Sequence, residues 1–310
     1  MPRGSTLFDV ETIRDALGAL EVGTHIPNEV HTYLDCYDID FASEFAGCQH
    51  SIGWFGSGDE RLCGQVITPA RPRGTAIVCH GYYDHVGLYG HLLRFLLKQN
   101  LVVVTFDQIG HGLSSGARAN IDTFDRYVAA LEQLVSRVKE SMPQPWSLYA
   151  QSMGGSVACE YVIRNPDVQF ADLVLFAPLV RPLNWSFNRF IYYIAKTMVQ
   201  ERPRVVTKNA DNEEFMALQH RDPLAPTTLP IAWVGAMVNW MRSFEARSSF
   251  PVNPKIIQGD ADKTVGWRRN LKVFSRLCEP QILMIPGGRH HLVNESEEIR
   301  DAMWRWLSDR

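Results

Sequence analysis

Leu148-Tyr149-Ala150-Gln151-Ser152-Met153-Gly154-Gly155 is the stretch whose reading decides the fold. An apolar run stops at a serine, and small residues then open a helical pattern. This predicts a strand, a sharp turn and a helix, with Ser152 at the tip of the turn. Such a turn strains the backbone and lifts the hydroxyl clear of the sheet. It needs small neighbours, because the helix doubles straight back past the strand. Gly154 and Gly155 supply them. Serine is also a common helix N-cap, so the stretch settles no chemistry alone; the order of the residues around it gives it weight.

Upstream, Thr75 to Cys79 is a short β-branched and apolar run that ends in His80-Gly81-Tyr82-Tyr83-Asp84-His85. A helical pattern follows at Leu88, Leu92, Leu93, Leu96 and Leu97. Leu101 to Phe106 is continuously apolar, the mark of a parallel strand buried on both faces. It runs into Asp107-Gln108-Ile109-Gly110-His111-Gly112-Leu113-Ser114, and a helix is predicted from about Thr123 to Ser141. Downstream, Asp172 to Ala177, Lys255 to Gln258 and Gln281 to Ile285 read as strands, with a helix near 267 to 277 and a closing helix from Glu295. Toward the N-terminus, residues 8 to 35 are loosely helical or irregular, and Gln49 to Phe55 with Leu62 to Pro69 form a hairpin around Gly56-Ser57-Gly58-Asp59-Glu60. Strands alternating with helices predict an α/β fold with a mostly parallel central sheet and helices on both faces. Chemistry in such sheets gathers at the carboxyl ends of the strands.

Two further strand ends carry candidates. Gly259-Asp260-Ala261-Asp262 follows one, and Pro286-Gly287-Gly288-Arg289-His290-His291 follows another. A serine hydroxyl becomes a useful nucleophile when a histidine takes its proton, and a carboxylate stabilises the imidazolium formed. Ser, Asp and His in that chain order, each beyond a separate strand, is the order this architecture requires. Asp260 or Asp262, and His290 or His291, remain open on spacing alone, since Gly-Asp pairs make turns and glycine-rich loops carry surface histidines. For an oxyanion, the expected backbone donors are the N–H of Met153, at the start of the helix, and that of Tyr82, with Gly81 allowing close approach. His80, His85, His91, His111 and Asp107 are expected to support loops.

The chain has 310 residues, long enough for one sizeable α/β domain with an insertion or for two domains, and no linker or repeat divides it. Lys and Arg total 31 against 34 Asp and Glu, a balance that argues against a nucleic-acid surface and for a small-molecule substrate. The six cysteines are scattered and signal neither zinc nor disulfides, so they read as reduced, mostly packed thiols. Met1 to Val10 has no basic region leading into an apolar stretch, and no run reaches the length of a membrane span. A cytoplasmic location is the expectation. Residues 179 to 250 interrupt the alternation. Phe187, Ile191, Ile194 and Met198 fall at helical spacing, and Trp233, Val234, Met237, Val238, Trp240 and Met241 follow. Most of these side chains are expected to bury against the core, and a fraction to line an acyl pocket or meet a lipid surface.

These residues resemble the α/β-hydrolases, and within them the monoacylglycerol lipase and bacterial lysophospholipase group. The family's H-G-x-x-[ED]-H loop resembles His80 to His85, its D-x-x-G-x-G-x-S segment Asp107 to Ser114, and its G-x-S-M-G-G elbow the stretch through Gly155. Its G-x-x-D corresponds to Gly259 to Asp262, and its R-H-x-L-x-N-E ending to Arg289 to Glu295. Ala150 stands where the elbow's first glycine would be. The resemblance spans about residues 50 to 309, less closely through 180 to 250. It implies an α/β-hydrolase core of residues 1–178 and 251–310, with a helical cap, or lid, at 179–250 inserted before the acid strand. It also implies a Ser152, Asp262 and His290 triad that needs no cofactor or metal. The implied activity is cleavage of carboxylic esters of medium to long acyl chains through an acyl-enzyme. Amide or peptide hydrolysis on the same triad, and ligand binding without turnover, are the alternatives.

Overall fold

Residues 7–309 are described by the structure, a computed structural model, in which the side chains of Ile191 and Ala195 are also left undescribed. Most of the Met1 to Val10 stretch therefore lies outside the described residues. Three short helices, α1 (Val10–Ala16), α2 (Asn28–Cys36) and α3 (Phe41–Glu44), precede the hairpin of β1 (Gln49–Ser57) and β2 (Glu60–Thr68). The hairpin strands run further than their sequence pattern indicates. Gly58, at φ 59°, lets Gly58-Asp59 close the turn, so Ser57 already pairs with Glu60.

The chain then alternates through β3 (Gly74–Cys79), α4 (Gly90–Lys98), β4 (Leu101–Phe106), α5 (Phe124–Val138), β5 (Trp146–Gln151), α6 (Met153–Arg164) and β6 (Asp172–Phe176). A segment of different character follows, made of α7 (Trp185–Ala195), β7 (Glu201–Pro203), α8 (Glu213–Arg221), β8 (Thr228–Pro230) and α9 (Ile231–Glu245). Alternation resumes with β9 (Lys255–Gly259), α10 (Trp267–Leu277), β10 (Gln281–Ile285) and α11 (Glu297–Ser308).

Eight strands form one sheet in the order β1-β2-β4-β3-β5-β6-β9-β10, while β7 and β8 pair separately. Strands β4 to β10 of that sheet are parallel, and the hairpin joins antiparallel through β2. Strand β4 is thus parallel on its β3 side and antiparallel on its β2 side, rather than parallel throughout. The central strands alternate their side chains between two cores. Ile77, Val104 and Leu148 pack with α5, α6 and α9, whereas Ala76, Val78, Val103 and Tyr149 pack with α2 and α4. Both faces are covered, which is why these strands read as unbroken apolar runs. All six cysteines are free, four of them buried. Among the described residues no helix is long and apolar enough to cross a membrane.

The two apolar stretches of the inserted segment behave differently. On α9, Trp233, Met237, Val238, Trp240 and Met241 are buried. In the pattern of α7, Phe187 is 67% exposed and Ile194 54%, and Met198, past the helix end, is 81% exposed, while the side chain of Ile191 lies outside what the structure describes. Burial against the core, expected for most of these side chains, holds for α9 and fails for α7.

Helix α6 packs onto the end of β3 so closely that a Cβ on Gly154 would sit 2.3 Å from the Cys79 carbonyl oxygen and 2.6 Å from that of His80. Neither is the end of a flexible side chain, so the helix must shift. Gly154→Ala is expected to lower the free energy of unfolding by about 1–3 kcal/mol, the usual cost of overpacking. Urea denaturation of the two proteins checks it; an unchanged midpoint would mean that α6 is not seated on β3 in this way.

Candidate active site

Ser152 stands between the end of β5 and the start of α6 at φ 51°, ψ −115°. No ordinary L-residue favours that conformation, and it persists only where its surroundings over-determine it. They do so here. The Ser152 N–H donates to the Phe176 carbonyl at 2.9 Å, and the Ser152 carbonyl accepts from the N–H groups of Gly155 (2.9 Å) and Leu179 (3.1 Å). The hydroxyl makes no capping bond to its own helix. It lies 2.9 Å from His290 Nε2 instead, and His290 Nδ1 lies 2.8 Å from Asp262 Oδ2.

Each partner sits on the loop beyond its own strand. Asp262, after β9, accepts from the N–H groups of Thr264 (2.7 Å) and Val265 (3.1 Å) at Oδ1, and from Gln258 Nε2 (3.2 Å) at Oδ2. The His290 carbonyl, after β10, accepts from Gln151 Nε2 at 2.7 Å, so the residue before Ser152 ties the two loops together. Burial alone would push His290 down, but the Asp262 carboxylate outweighs it and the imidazole ends above its ordinary value. Burial likewise pushes Asp262 up, yet His290 and the two backbone N–H groups hold it below the usual range. Gln151 and Gln258 had no place in the sequence reading. Their only signal is that each is a polar residue at or one short of the end of a mostly apolar strand.

The alternative acid and base lie elsewhere. Asp260 Oδ1 accepts from the Gly287 N–H at 2.8 Å and pins the acid loop to the histidine loop. His291 is no surface residue but 2% exposed, with Nε2 3.1 Å from Asp84 Oδ2, an electrostatic contact rather than an aligned hydrogen bond. Asp84 Oδ2 also accepts from the Tyr89 hydroxyl (2.9 Å), which in turn accepts from the Gly81 N–H (2.8 Å). Burial pushes Asp84 up, but His291 holds it well below the carboxylate range.

The loop after β3 lies against the serine. A Cβ on Gly81 would be 2.7 Å from Asp84 Oδ2 and 3.4 Å from the Ser152 Cβ. The Tyr82 ring stacks on Trp233 of α9 with centroids 3.7 Å apart, and its hydroxyl donates to the Ala119 carbonyl at 2.7 Å. His80 braces the loop, with Nδ1 2.8 Å from the Gly81 carbonyl and Nε2 accepting from the Gln108 N–H at 2.8 Å. Asp107 accepts from the N–H groups of Val86 and Leu113, and His111 Nδ1 meets the Ile109 carbonyl. His91 stands apart on α4, half-buried, its pKa pushed down to about 4 by burial and by Arg300 and Arg94. Met153 is the first residue of α6.

Above Ser152 and His290 lies a cavity of about 450 Å³, lined among others by Tyr82, Leu179, Trp185, Trp233, Val234 and Met237. Its walls come from the core loops and from the inserted segment alike. A buried contact holds that segment down. Asp222, just past α8, pairs with His85 Nε2 at 2.9 Å and accepts from the Tyr37 hydroxyl (2.7 Å) and the Leu224 N–H (2.8 Å). Among the described residues no group of three or more His, Cys, Asp or Glu is placed to hold a metal ion.

A parallel sheet with helices on both faces, a serine on a strained strand-to-helix turn, and an aspartate and histidine beyond later strands together define the α/β-hydrolase class. The chain belongs to the family described as serine aminopeptidase, S33, which matches residues 70–297. It is 26% identical to a monoacylglycerol lipase of Mycolicibacterium smegmatis over 84% of this chain and 96% of that one. It is 27% identical to the human monoglyceride lipase over 77% of this chain and 84% of the relative. Among solved structures, a soluble variant of the Saccharomyces cerevisiae monoglyceride lipase with a substrate analogue superposes with a TM-score of 0.70 at 16% identity, covering 82% and 94% of the two chains.

The His85–Asp222 pair sets a pH-dependent stability term. Burial opposes both charges, but each partner outweighs it, raising His85 above 6.5 and lowering Asp222 below 3.8. The lowered aspartate contributes above 3.8 and loses its contribution as pH falls through its folded value; the raised histidine contributes below 6.5 and loses it as pH rises through its folded value. Asp222→Ala is expected to cost about 3–5 kcal/mol, because it strands a buried partner. The gap from wild type should be widest between pH 3.8 and 6.5 and narrow on either side. Urea titrations across that range check it, and a gap flat with pH would show that the pair is not ionised in the folded protein.

Proposed function

We propose that the protein is a serine hydrolase that cleaves carboxylic esters of medium to long acyl chains, of the monoacylglycerol or lysophospholipid type. The observation that carries the reading is the pair of contacts joining Ser152 Oγ, His290 and Asp262 Oδ2, 2.9 and 2.8 Å. In this reading Ser152 Oγ attacks the ester carbonyl while His290 Nε2 takes its proton. Asp262 holds the imidazole in the tautomer with Nδ1 protonated and stabilises the cation formed. The oxyanion is met by the N–H groups of Met153, at the positive end of α6, and Tyr82. The Gly81 N–H is already bonded to the Tyr89 hydroxyl, so Tyr82 is the next donor along that loop. His290 returns the proton to the departing alcohol, and water then releases the acid from Ser152 by the same steps.

Two features favour esters over amino-terminal peptides. The names of the relatives point to glyceride esters. An aminopeptidase needs a carboxylate to receive the substrate ammonium, whereas the one carboxylate among the cavity-lining residues, Asp84, is engaged with Tyr89 and His291. Residues 179–250 act as a cap, or lid, over a core of 1–178 and 251–310. The exposed face of α7 with Phe187, Phe190 and Ile194 is the part that meets a lipid surface.

Ser152→Ala is expected to abolish both ester turnover and labelling by a fluorophosphonate. Asp262→Asn and His290→Ala should lower kcat by about 10³-fold or more, and Asp260→Asn far less. Because His290 must be neutral to act and its pKa is raised, the acid limb of kcat/KM should fall above pH 6.5. Severe loss at Asp260 in folded protein would move the acid by two residues. Each methylene buried contributes about 0.8 kcal/mol, so kcat/KM across p-nitrophenyl esters should rise from two to about eight carbons or more. A preference for acetate, or faster cleavage of amino-acid amides than of any ester, would remove the lipid reading and leave the triad.

A further inference from the structure

The cavity above Ser152 is lined largely by apolar side chains, but β7 and the residue after it bring two cations to its wall. Arg202, in β7, and Arg204, one residue past its end, both line the cavity, so their side chains lie on the same side of the chain. The strand is fixed in place: Arg202 pairs with Leu229 in β8, and the Arg204 N–H donates to the Thr227 carbonyl at 2.8 Å. Arg181 is paired with Glu245 and Arg289 with Asp211, whereas Arg189, Arg221 and Arg242 of the segment have no carboxylate partner among the described residues but do not line the cavity. Among the described residues, no carboxylate pairs with Arg202 or Arg204. Arg204 lays its guanidinium over the Tyr83 ring, 4.4 Å from its centre, and gives one N–H to the Pro226 carbonyl at 3.3 Å. Its remaining donors are held ready by a stack that leaves them unused.

A neutral glyceride has no group to meet this charge. We propose that Arg202 and Arg204 form a subsite for a phosphate in the alcohol half of the substrate, so that the preferred ester is an acylated glycerol phosphate. The proposal rests on the ester-hydrolase reading above. Guanidinium forks match phosphate oxygens two by two, and such charge-assisted bonds are about twice as strong as neutral ones. The position fits. Tyr83 follows the proposed oxyanion donor Tyr82 and carries the Arg204 stack, and Ser152, Arg202 and Arg204 line one cavity, so the nucleophile and the two cations share one space. A glycerol phosphate places its phosphorus three carbons and one oxygen beyond the ester oxygen.

The test uses the full chain and octanoyl esters kept below the concentration at which they aggregate. The ratio of kcat/KM for 1-octanoylglycerol 3-phosphate to that for 1-octanoylglycerol is measured in the wild type, Arg202→Gln, Arg204→Gln and the double variant. The ratio should exceed one in the wild type, fall about tenfold or more in the double variant, and narrow as salt is raised. Arg204→Lys, which keeps the charge, should retain part of it. Glycerol 3-phosphate, and not glycerol, should inhibit the wild type competitively and lose that effect in the double variant. Turnover of p-nitrophenyl octanoate, which has no phosphate, reports separately on the ester-hydrolase reading. A wild-type ratio below one, or one unchanged in the folded double variant, overturns the subsite. So does a defect confined to phosphatidylglycerol-containing vesicles, which would assign the arginines to a membrane surface.

Discussion

Everything at the site depends on Ser152 being kept in a backbone conformation that it would not adopt by itself. At φ 51° and ψ −115° the residue, at the N-cap position of α6, stores strain that an N-cap in the usual extended conformation would not. Three backbone hydrogen bonds, to Phe176, Gly155 and Leu179, hold it there, and two of those partners belong to β6 and the segment just after it. The neighbouring strand therefore fixes the turn as firmly as β5 and α6 do. Ala150 is buried in β5 without displacing this arrangement, so the methyl group that replaces the family's first glycine is accommodated within the strand.

The loops that meet the serine are fastened to one another by buried polar contacts rather than by packing alone. Gln151 holds the His290 carbonyl, Asp260 holds the Gly287 N–H, and Asp84 with Tyr89 holds the Gly81 N–H. The first two bonds join loops from different strand ends, so a shift in one is transmitted to the other, whereas the third closes the loop after β3 on itself. Unpaired polar groups in such places cost several times what the bonds themselves contribute. That asymmetry keeps the loops in a single register around His290.

The sequence pattern carried most of the central sheet, because a strand buried on both faces must be apolar throughout; Leu101 to Phe106 is delimited to the residue. It carried the candidate serine, acid and base as well, since each stands at a strand end behind glycines. Long-range partners were not legible. His85 and Asp222 are 137 residues apart and belong to no common motif, yet they form one buried pair. Helical spacing also says nothing about what covers a face, so α7 and α9 looked alike although one is exposed and the other buried. The choice between His290 and His291 turned on which way adjacent side chains point, and adjacency in sequence is blind to that.

The inserted segment divides its tasks by physical type. Helix α9 is an anchor: Trp240 and Phe244 stack within the core, and Trp233 reaches the loop beside Ser152 by stacking on Tyr82. Asp222 is a second anchor, buried with His85 and Tyr37. Helix α7 and β7 precede both anchors in the chain; Trp185 is buried and β7 pairs with β8, yet the outer face of α7 presents large apolar side chains, and β7 with the residue after it presents two guanidinium groups that no carboxylate among the described residues pairs with. The stack of Trp233 on Tyr82 makes one wall of the cavity depend on the helix whose other side fills the core, so the loop beside Ser152 is held from α9 as well as from β3.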